Sequence, residues 1–242
     1  MLDSLHNSLL SLIYPQECNC CARQVERLDD GVACRDCWSK TRIFTGKEML
    51  CDKCGAFFGD EAAQVPVYCH KCDDHSYDKA AAVGIYENAL AATIIHLKRV
   101  PVLNSRAKRH LSAAINYFGT LNFDLIIPIP LSRQRMFERG FNQAEIIGQE
   151  IGRMSGIPVD AFSLARKTHT PIHRVGMDQK ARELTVRNAF EIKRPKLIAG
   201  KNILLVDDVF TSGATSSYCA KILKKNGAGR VNVFTLARAV MN

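Results

Sequence analysis

The distribution of apolar residues changes near residue 79 of this 242-residue chain. Before that point apolar residues are scattered among cysteines, except over residues 2–13, where leucines recur at helical spacing before Pro15. Beyond it, short apolar runs alternate with longer amphipathic ones. The pattern predicts an N-terminal helix and a small module over residues 1–78, followed by a larger domain over residues 79–242.

The larger domain is predicted to alternate strands with helices. Short stretches rich in apolar residues, typical of buried strands, occupy residues 81–86, 123–130, 189–192, 202–209 and 230–239. Amphipathic stretches, typical of surface helices, occupy residues 88–98, 106–118, 142–156 and 215–228. Alternation of this kind predicts an α/β fold with a mostly parallel sheet flanked by helices. In such sheets ligands bind at the carboxyl ends of the strands.

Charge divides the chain at the same place. Residues 1–78 carry 8 Lys/Arg and 13 Asp/Glu, a net charge of −5, whereas residues 79–242 carry 25 and 11, a net charge of +14. The basic domain favours a phosphate-bearing partner, either a small ligand or a nucleic acid, and a solvated lysine-rich surface is the alternative. No apolar run approaches the roughly 18–20 residues of a membrane span, and no secretory signal pattern is present. A cytoplasmic protein without a membrane span is the expectation.

Nine of the ten cysteines lie before residue 73, and eight of them form four Cys-x-x-Cys pairs. The pairs are Cys18/Cys21, Cys34/Cys37, Cys51/Cys54 and Cys69/Cys72. A two-residue gap lets both sulfurs of a tight turn bind one tetrahedral ion, and two pairs complete a four-cysteine shell. The sequence therefore predicts two zinc ribbons, each built from successive pairs and each holding a structural Zn²⁺ ion.

Other uses of these cysteines stay open from the sequence alone. Interleaved pairing leaves the same spacing, and a single zinc or a disulfide scaffold is the alternative, the latter disfavoured without a secretory signal. Cys20, inside the first pair, is a spare thiol or a substitute ligand, and Cys219 is predicted to be a packed thiol. Closed four-thiolate sites support folding rather than catalysis.

A buried strand is predicted to run into two adjacent acids in ILLVDDVFTSGAT, residues 203–215. The small residues that follow predict a tight turn, which offers backbone N–H groups, hydroxyls and a helix N-terminus to a phosphate. The predicted phosphate-binding residues are Thr211, Ser212, Gly213, Ala214 and Thr215. Asp207 and Asp208 would accept hydrogen bonds from the hydroxyls of a sugar, with a divalent cation such as Mg²⁺ offsetting the negative charge. A pair of capping aspartates is the alternative interpretation.

A second polar block, PIPLSRQRMFERGFNQAE, follows a predicted strand at residues 128–145. Arg133, Arg135 and Arg139 crowd one short loop, which is costly unless an anion lies among them. Asn142 is the predicted N-cap of the next helix. A solvated basic loop is the alternative. A third polar stretch, residues 166–190, contains His169 and His173, which are either acid–base groups or solvated loop histidines.

The stretch ILLVDDVFTSGAT resembles the signature of type I phosphoribosyltransferases, enzymes that use phosphoribosyl pyrophosphate (PRPP). Together with the cysteine pairs and the RGFNQ block, it resembles the ComF family of competence proteins over nearly the whole chain. The resemblance implies a type I phosphoribosyltransferase-like sheet, with ribose at Asp207 and Asp208 and the 5-phosphate at residues 211–215. It also implies pyrophosphate at Ser132, Arg133 and Arg135, a mobile active-site loop at 166–190, and a role in DNA uptake during natural transformation.

The sequence is compatible with three different functions. The first is a phosphoribosyltransferase, in which Asp207, Asp208, Arg133 and Arg135 are the catalytic candidates, although no residue stands out as a base for an acceptor. The second is a single-stranded-DNA binder that uses the basic surface, with exposed aromatic side chains for stacking. The third is a PRPP sensor without turnover. We expect DNA and PRPP to compete for one basic cleft, and we expect the zinc module to contact other DNA-uptake proteins.

Overall fold

The computed structural model describes residues 15–61, 63–118, 123–167 and 189–240. The predicted N-terminal helix therefore lies outside the described residues, and so does most of the 166–190 loop, including His169 and His173.

Secondary structure in the cysteine-rich part is short. Helix α1 spans Arg35–Ser39, and strands β1 (Met49–Leu50) and β2 (Phe57–Gly59) form an antiparallel pair. Two single 3₁₀ turns, Leu28–Asp30 and His70–Cys72, complete it. Elements this short bury little apolar surface, which fits a module held together by metal ligands.

The rest of the chain alternates strands and helices, as predicted. In chain order the elements are β3 (Ala80–Ile85), α2 (Asn88–Leu97), α3 (Ser105–Phe118), β4 (Leu125–Pro128), α4 (Arg133–Arg139), α5 (Gln143–Ser155), β5 (Leu164–Arg166), β6 (Phe190–Ile192), α6 (Pro195–Ile198), β7 (Ile203–Phe210), α7 (Ala214–Lys225) and β8 (Val231–Arg238). The predicted strand and helix positions agree with these elements to within a few residues.

Four strands form a parallel sheet in the order β3-β8-β7-β4. The two central strands are the longest, and β8 is buried along its whole length. Such strands are mostly apolar because both faces of the sheet are covered. The segment around Ile43 extends the β3 edge, since Phe44 N–H donates to Val83 O at 2.9 Å and Ile85 N–H donates to Arg42 O at 2.9 Å. Backbone pairing therefore joins the cysteine-rich part directly to the sheet.

Each face of the sheet packs against its own helices and its own ribbon. Side chains of Leu204 and Val206 face helices α2, α3 and α5, together with the first ribbon. Side chains of Ile203 and Leu205 face α6, α7, the β5–β6 pair and the second ribbon. This alternation follows from the two-residue period of a strand. The predicted boundary near residue 78 stays a prediction, and contacts cross it on both faces.

Two local features differ from the predictions. The predicted strand at 189–192 lies outside the main sheet, because β6 pairs only with β5, antiparallel. The predicted basic loop at 133–139 is a short helix, α4. Ser132 caps its start and Gly140 ends it in the left-handed conformation (φ 76°). Seven residues are too few for a clear helical period, so only the caps signal this helix. Among the described residues, none of the helices is both long and apolar enough to cross a membrane.

Candidate functional site

The eight paired cysteines form two four-sulfur clusters. One consists of Cys18, Cys21, Cys34 and Cys37, the other of Cys51, Cys54, Cys69 and Cys72, and within each the Sγ atoms lie within 4.8 Å of one another. Neighbouring sulfurs are 3.4–3.7 Å apart. Four thiolates at about 2.3 Å from a tetrahedral zinc would be about 3.8 Å apart, so both clusters fit Zn²⁺. Successive pairs share a cluster, and interleaved pairing is excluded.

Backbone N–H groups point at one sulfur in each cluster. Cys18 Sγ accepts from Cys34 N at 3.3 Å, and Cys51 Sγ accepts from Cys69 N at 3.4 Å. Burial opposes ionisation of both thiols, but these donors outweigh it and lower the pKa of Cys18 to about 6 and that of Cys51 to about 7. Zinc binds thiolates, so the turns favour the form that binds metal. Cys20 is exposed and lies outside the first cluster, which is consistent with a spare thiol.

The two aspartates lie where β7 runs beyond its neighbour β4. Pairing between these strands ends at Val206, and Ile129 N–H donates to Val206 O at 2.8 Å. β7 continues through Asp207 and Asp208 to Phe210, paired only with β8. The acids are therefore part of the strand rather than of the turn after it. They lie at the carboxyl edge of the parallel sheet, where ligands of such folds bind.

The two carboxylates point to opposite faces of the sheet. Asp208 lies on the α2 side, with its Oδ2 atom 3.9 Å from Lys98 Nζ. Asp207 lies on the α7 side, where its charge, after burial, raises the pKa of the Cys219 thiol. Each carboxylate accepts the N–H of the following residue, at 2.9 Å for Asp207 and 2.7 Å for Asp208. The two carboxylates point away from each other and each accepts a hydrogen bond from a neighbouring N–H, which explains why two negative charges are tolerated at adjacent positions.

The predicted phosphate turn follows directly. Residues 211–213 form bends, and α7 begins at Ala214 with Gly213 as its N-cap in the left-handed conformation (φ 77°). The N-cap Gly213 has no side chain to cap the helix, and Ser212 Oγ accepts from Ala214 N only at 3.5 Å. The first N–H groups of a helix have no acceptor within it. An anion can therefore accept them. Gly213 has a second role that the sequence did not show: a β-carbon there would lie 2.5 Å from Phe210 Cζ.

Lys98 is a site residue that sequence reasoning missed. It follows α2 in the chain and brings an ammonium group to Asp208 from a different layer of the fold. Its side chain is 35% exposed and that of Asp208 is 21% exposed. Contact with an anionic ligand would therefore need little rearrangement. In the sequence Lys98 stands out only as a basic residue at the end of a predicted helix, a position that lysine commonly occupies on protein surfaces.

The 128–145 block reaches the same edge of the sheet. Ser132 is 1% exposed and its hydroxyl accepts from Arg135 N at 3.3 Å, while Arg133 is exposed in the first turn of α4. The predicted N-cap is confirmed, since the Asn142 side chain accepts from Ala144 N at 3.2 Å. Asn142 Nδ2 also donates to Ile129 O at 3.0 Å, which fixes the block at the end of β4.

Gln143 lies at this edge with a donor that no described residue satisfies. Its side chain is buried, and its Oε1 atom accepts from Arg139 Nη1 at 2.8 Å. Its Nε2 atom is buried without a hydrogen-bond partner among the described residues. Buried amide donors are rarely left unpaired in proteins. A ligand or water acceptor at this edge would satisfy it.

Comparison with known proteins finds a matching domain model for the N-terminal part and relatives that align over most of the chain. Residues 9–73 match the model of the double zinc ribbon domain. Competence protein F of Haemophilus influenzae is 29% identical over 218 residues, covering 85% of this chain and 90% of that protein. Competence protein ComFC of Bacillus subtilis is 27% identical over 227 residues, covering 87% and 85%.

Among solved structures, a purine phosphoribosyltransferase from Pyrococcus horikoshii overlaps 55% of this chain and 70% of its own, at 18% identity and a TM-score of 0.33. Because that overlap is partial, the α/β fold class rests on the sheet itself. The predicted fold class is confirmed: a parallel sheet flanked by helices follows a four-cysteine zinc-ribbon module. The predicted resemblance to the ComF family of competence proteins is confirmed: the chain carries the double zinc ribbon and is similar to Competence protein F and ComFC over most of each chain.

Proposed function

We propose that this protein acts in DNA uptake and that the carboxyl edge of its sheet binds Mg–PRPP. The arrangement of Asp207 and Asp208 on β7, directly before the turn and the N-terminus of α7, carries this proposal. The turn at 211–215 would hold the 5-phosphate, and the carboxylates would accept hydrogen bonds from the ribose hydroxyls. Ser132, Arg133 and Arg135, with Lys98, would contact the pyrophosphate. Mg²⁺ would offset the summed negative charge of ligand and acids.

Two supporting features come from the structure rather than from the motif. Lys98 places a cation within 3.9 Å of Asp208, so positive charge already lies beside the proposed ribose site. The unpartnered Gln143 donor lies at the same edge, and because its Nε2 atom is buried, a local shift would be needed before a pyrophosphate oxygen could accept a hydrogen bond from it. Similarity to Competence protein F and Competence protein ComFC supports the proposed role in DNA uptake. A cytoplasmic location is part of the same proposal.

Isothermal titration with Mg–PRPP tests the site. The double variant Asp207→Asn/Asp208→Asn should lose binding by at least about tenfold, because a hydrogen bond to a charged group contributes about 1.5–3 kcal/mol. Asp124→Asn is the matched control, since Asp124 lies at the opposite edge, where its carboxylate accepts Asn202 N at 2.8 Å. Unchanged affinity in the double variant, or equal loss in the control, would contradict the proposed site.

Turnover is a separate question from binding. A phosphoribosyltransferase breaks the bond between the anomeric carbon and pyrophosphate and forms a bond from that carbon to an acceptor. A PRPP sensor binds the same ligand without breaking that bond. Pyrophosphate release on addition of candidate bases to saturated protein separates the two functions: release establishes an enzyme, and its absence with intact binding supports a sensor.

We also propose that the protein binds single-stranded DNA through its basic surface. One exposed cluster lies at the amino edge of the sheet and consists of Lys196, Lys201, Lys225 and Arg230. Its two loops are hydrogen-bonded to each other, from Gly229 N to Lys201 O at 2.9 Å. None of the four forms an ion pair with a carboxylate of the described residues. Such a surface suits a phosphate backbone.

This cluster lies away from the proposed PRPP site, so it provides an alternative to the shared cleft predicted from the sequence. Fluorescence anisotropy with a labelled oligonucleotide, between about 50 and 200 mM salt, would test both. Loss of affinity in Lys201→Ala/Arg230→Ala, with binding unchanged by PRPP, assigns DNA to the amino edge. Loss in Arg133→Ala/Arg135→Ala, with displacement by PRPP, assigns it to the shared cleft. Salt-independent binding would contradict both.

A further inference from the structure

The second ribbon and the residues that follow it pack against the proposed phosphate turn. Ser76 N–H, four residues after the last cysteine of this ribbon, donates to Ser217 Oγ in the first turn of α7 at 3.0 Å. The His75 ring approaches from the same side, since a β-carbon on Gly213 would lie 2.9 Å from His75 Cε1. The Phe210 ring completes this support. Phe210 and residues 75–76 therefore pack against the turn on the side of the second ribbon.

Two buried side chains fix the Phe210 ring. The guanidinium of Arg238, a residue only 6% exposed, lies 4.6 Å from the ring centroid. Tyr77, 1% exposed, meets the same ring edge-on, with centroids 5.9 Å apart. Buried rings held between a cation and a second aromatic have few alternative positions. A shift of either partner would move the ring that lies under Gly213.

Arg238 is hydrogen-bonded to the second zinc cluster, and Tyr77 is connected to it through His75. Arg238 Nη1 donates to the carbonyl oxygen of Cys54, and Nη2 lies 3.5 Å from Cys54 Sγ. The Tyr77 hydroxyl is 2.6 Å from His75 Nδ1, and His75 N–H donates to Cys72 O at 3.1 Å. The path from Phe210 through Arg238 thus reaches a cysteine of this cluster in two contacts, and the path through Tyr77 and His75 reaches one in three.

The first ribbon has a comparable anchor on the other face of the sheet. Arg106 Nη1 donates to Asp30 Oδ1 at 2.9 Å, and its guanidinium lies 5.3 Å from the Trp38 ring centroid. These contacts join the first ribbon to helix α3, on the face opposite α7. The two ribbons therefore use the same kind of arginine contact but support different parts of the protein.

We propose that the second zinc ribbon is a structural part of the phosphate site and that Arg238 is a positioning residue for the turn at 211–213. Zinc bound by Cys54 and its three partners fixes the carbonyl and sulfur that hold Arg238. Arg238, with Tyr77, holds Phe210, and Phe210 supports the turn that presents its N–H groups. Ligand affinity then depends on the second zinc and not on the first. This inference rests on the proposed PRPP binding.

Arg238→Met and Arg106→Met form a matched pair of variants. Zinc content, Mg–PRPP affinity and amide hydrogen exchange of residues 210–217 are measured for both, after circular dichroism shows that each is folded. We expect Arg238→Met to weaken Mg–PRPP binding by about 5- to 150-fold, the usual range of coupling between sites, and to speed exchange in 210–217. Arg106→Met should leave Mg–PRPP affinity within about twofold of wild type, a change far smaller than typical coupling. Any faster exchange in this variant should extend over the whole chain rather than be confined to 210–217.

Removal of one ligand from each cluster provides a second comparison. Cys69→Ser and Cys21→Ser alter the least buried ligand of the second and the first cluster, and each should lower bound zinc by one ion per chain. Only Cys69→Ser should weaken Mg–PRPP binding and speed exchange in 210–217. Equal effects of the two, or a folded two-zinc Arg238→Met protein with wild-type affinity and exchange, would overturn the inference.

The two proposals fail in different ways. If wild-type protein does not bind Mg–PRPP, the proposed function is wrong. The exchange measurements still decide whether the turn depends on the second ribbon, because they need no ligand. If wild type binds and the second-ribbon variants bind equally well, only the coupling is wrong.

Discussion

A single methyl group at Gly213 tests the packing beneath the turn. Gly213 has φ +77°, and an added β-carbon would lie 2.5 Å from Phe210 Cζ and 2.9 Å from His75 Cε1. Gly156, at the end of α5, has nearly the same backbone conformation, φ +74°, but a β-carbon there would have no neighbour within 4 Å. Gly156→Ala therefore introduces the backbone strain without the steric conflict.

The difference between the two variants isolates the contact with Phe210 and His75. An L-residue in the left-handed region costs about 1–2 kcal/mol, offset in both variants by the same gain of about 0.4–1 kcal/mol from a less flexible unfolded chain. Overpacking of a well-filled site adds about 1–3 kcal/mol. We expect Gly156→Ala to lower the free energy of unfolding by about 1 kcal/mol and Gly213→Ala by about 2–4 kcal/mol.

Urea unfolding of the zinc-loaded proteins, followed by far-UV circular dichroism, measures both free energies. Comparison requires equal m-values, because a changed m-value would indicate a changed unfolded or native state. Equal destabilisation by the two substitutions, within about 0.5 kcal/mol, would show that the turn is not packed on Phe210 and His75 as described. In that case the proposed link from the second ribbon to the turn would lose its structural basis.

Three further outcomes are expected. Arg106→Met should destabilise the protein by about 2–3 kcal/mol in the same urea assay, because it leaves the Asp30 carboxylate, 3% exposed, without its ionic partner. The loss should be smaller than the roughly 3–5 kcal/mol of a fully buried pair, since Arg106 is partly exposed. Lys40→Met, which breaks an exposed ion pair, should leave the free energy of unfolding nearly unchanged, because water and salt screen such pairs. Burial, followed by the charges of Arg106 and Arg109, lowers the pKa of His110 below its ordinary 6.5. The unfolded chain then binds more protons, so stability should fall as pH decreases below about 6.5, and His110→Gln should flatten this slope. Chelation should release two zinc ions per chain, measured with a colorimetric indicator, and should be accompanied by unfolding of the ribbons; intact structure after full release would contradict a folding role for the metal.

The cysteine clusters and the position of the acids were predictable because both are local. Tight turns bring Cys-x-x-Cys sulfurs together wherever they occur, and a continuously apolar run such as 203–206 marks a buried strand in any α/β fold. Pairing of successive cysteines, left open by spacing alone, is resolved by the three-dimensional positions of the sulfurs. The sequence also placed the acids at the carboxyl edge, although β7 runs four residues beyond Val206.

The relation of the ribbons to the sheet was not predictable, because it depends on contacts between distant residues. Arg238 and Cys54 are 184 positions apart, and neither carries a local pattern that indicates the other. Lys98 reaches Asp208 by the path of α2 across the sheet, which no periodicity specifies. The helix at 133–139 was missed because its length hides the helical period. The 166–190 loop was predicted to belong to the site, and it lies mainly outside the described residues.

Because the ribbons pack on opposite faces of the sheet, loss of one zinc ion should affect the protein differently from loss of the other. The first ribbon contributes Trp38 and Cys18 to the core around α2 and α3, so its loss should mainly reduce global stability. The second ribbon contributes Cys54 and Tyr77 to the core below the turn, so its loss should act first on the ligand site. A preparation with one zinc per chain is therefore a mixture whose binding behaviour depends on which cluster is filled. Affinity for Mg–PRPP should follow the occupancy of the second cluster rather than the total zinc content, and the thermal midpoint should follow both.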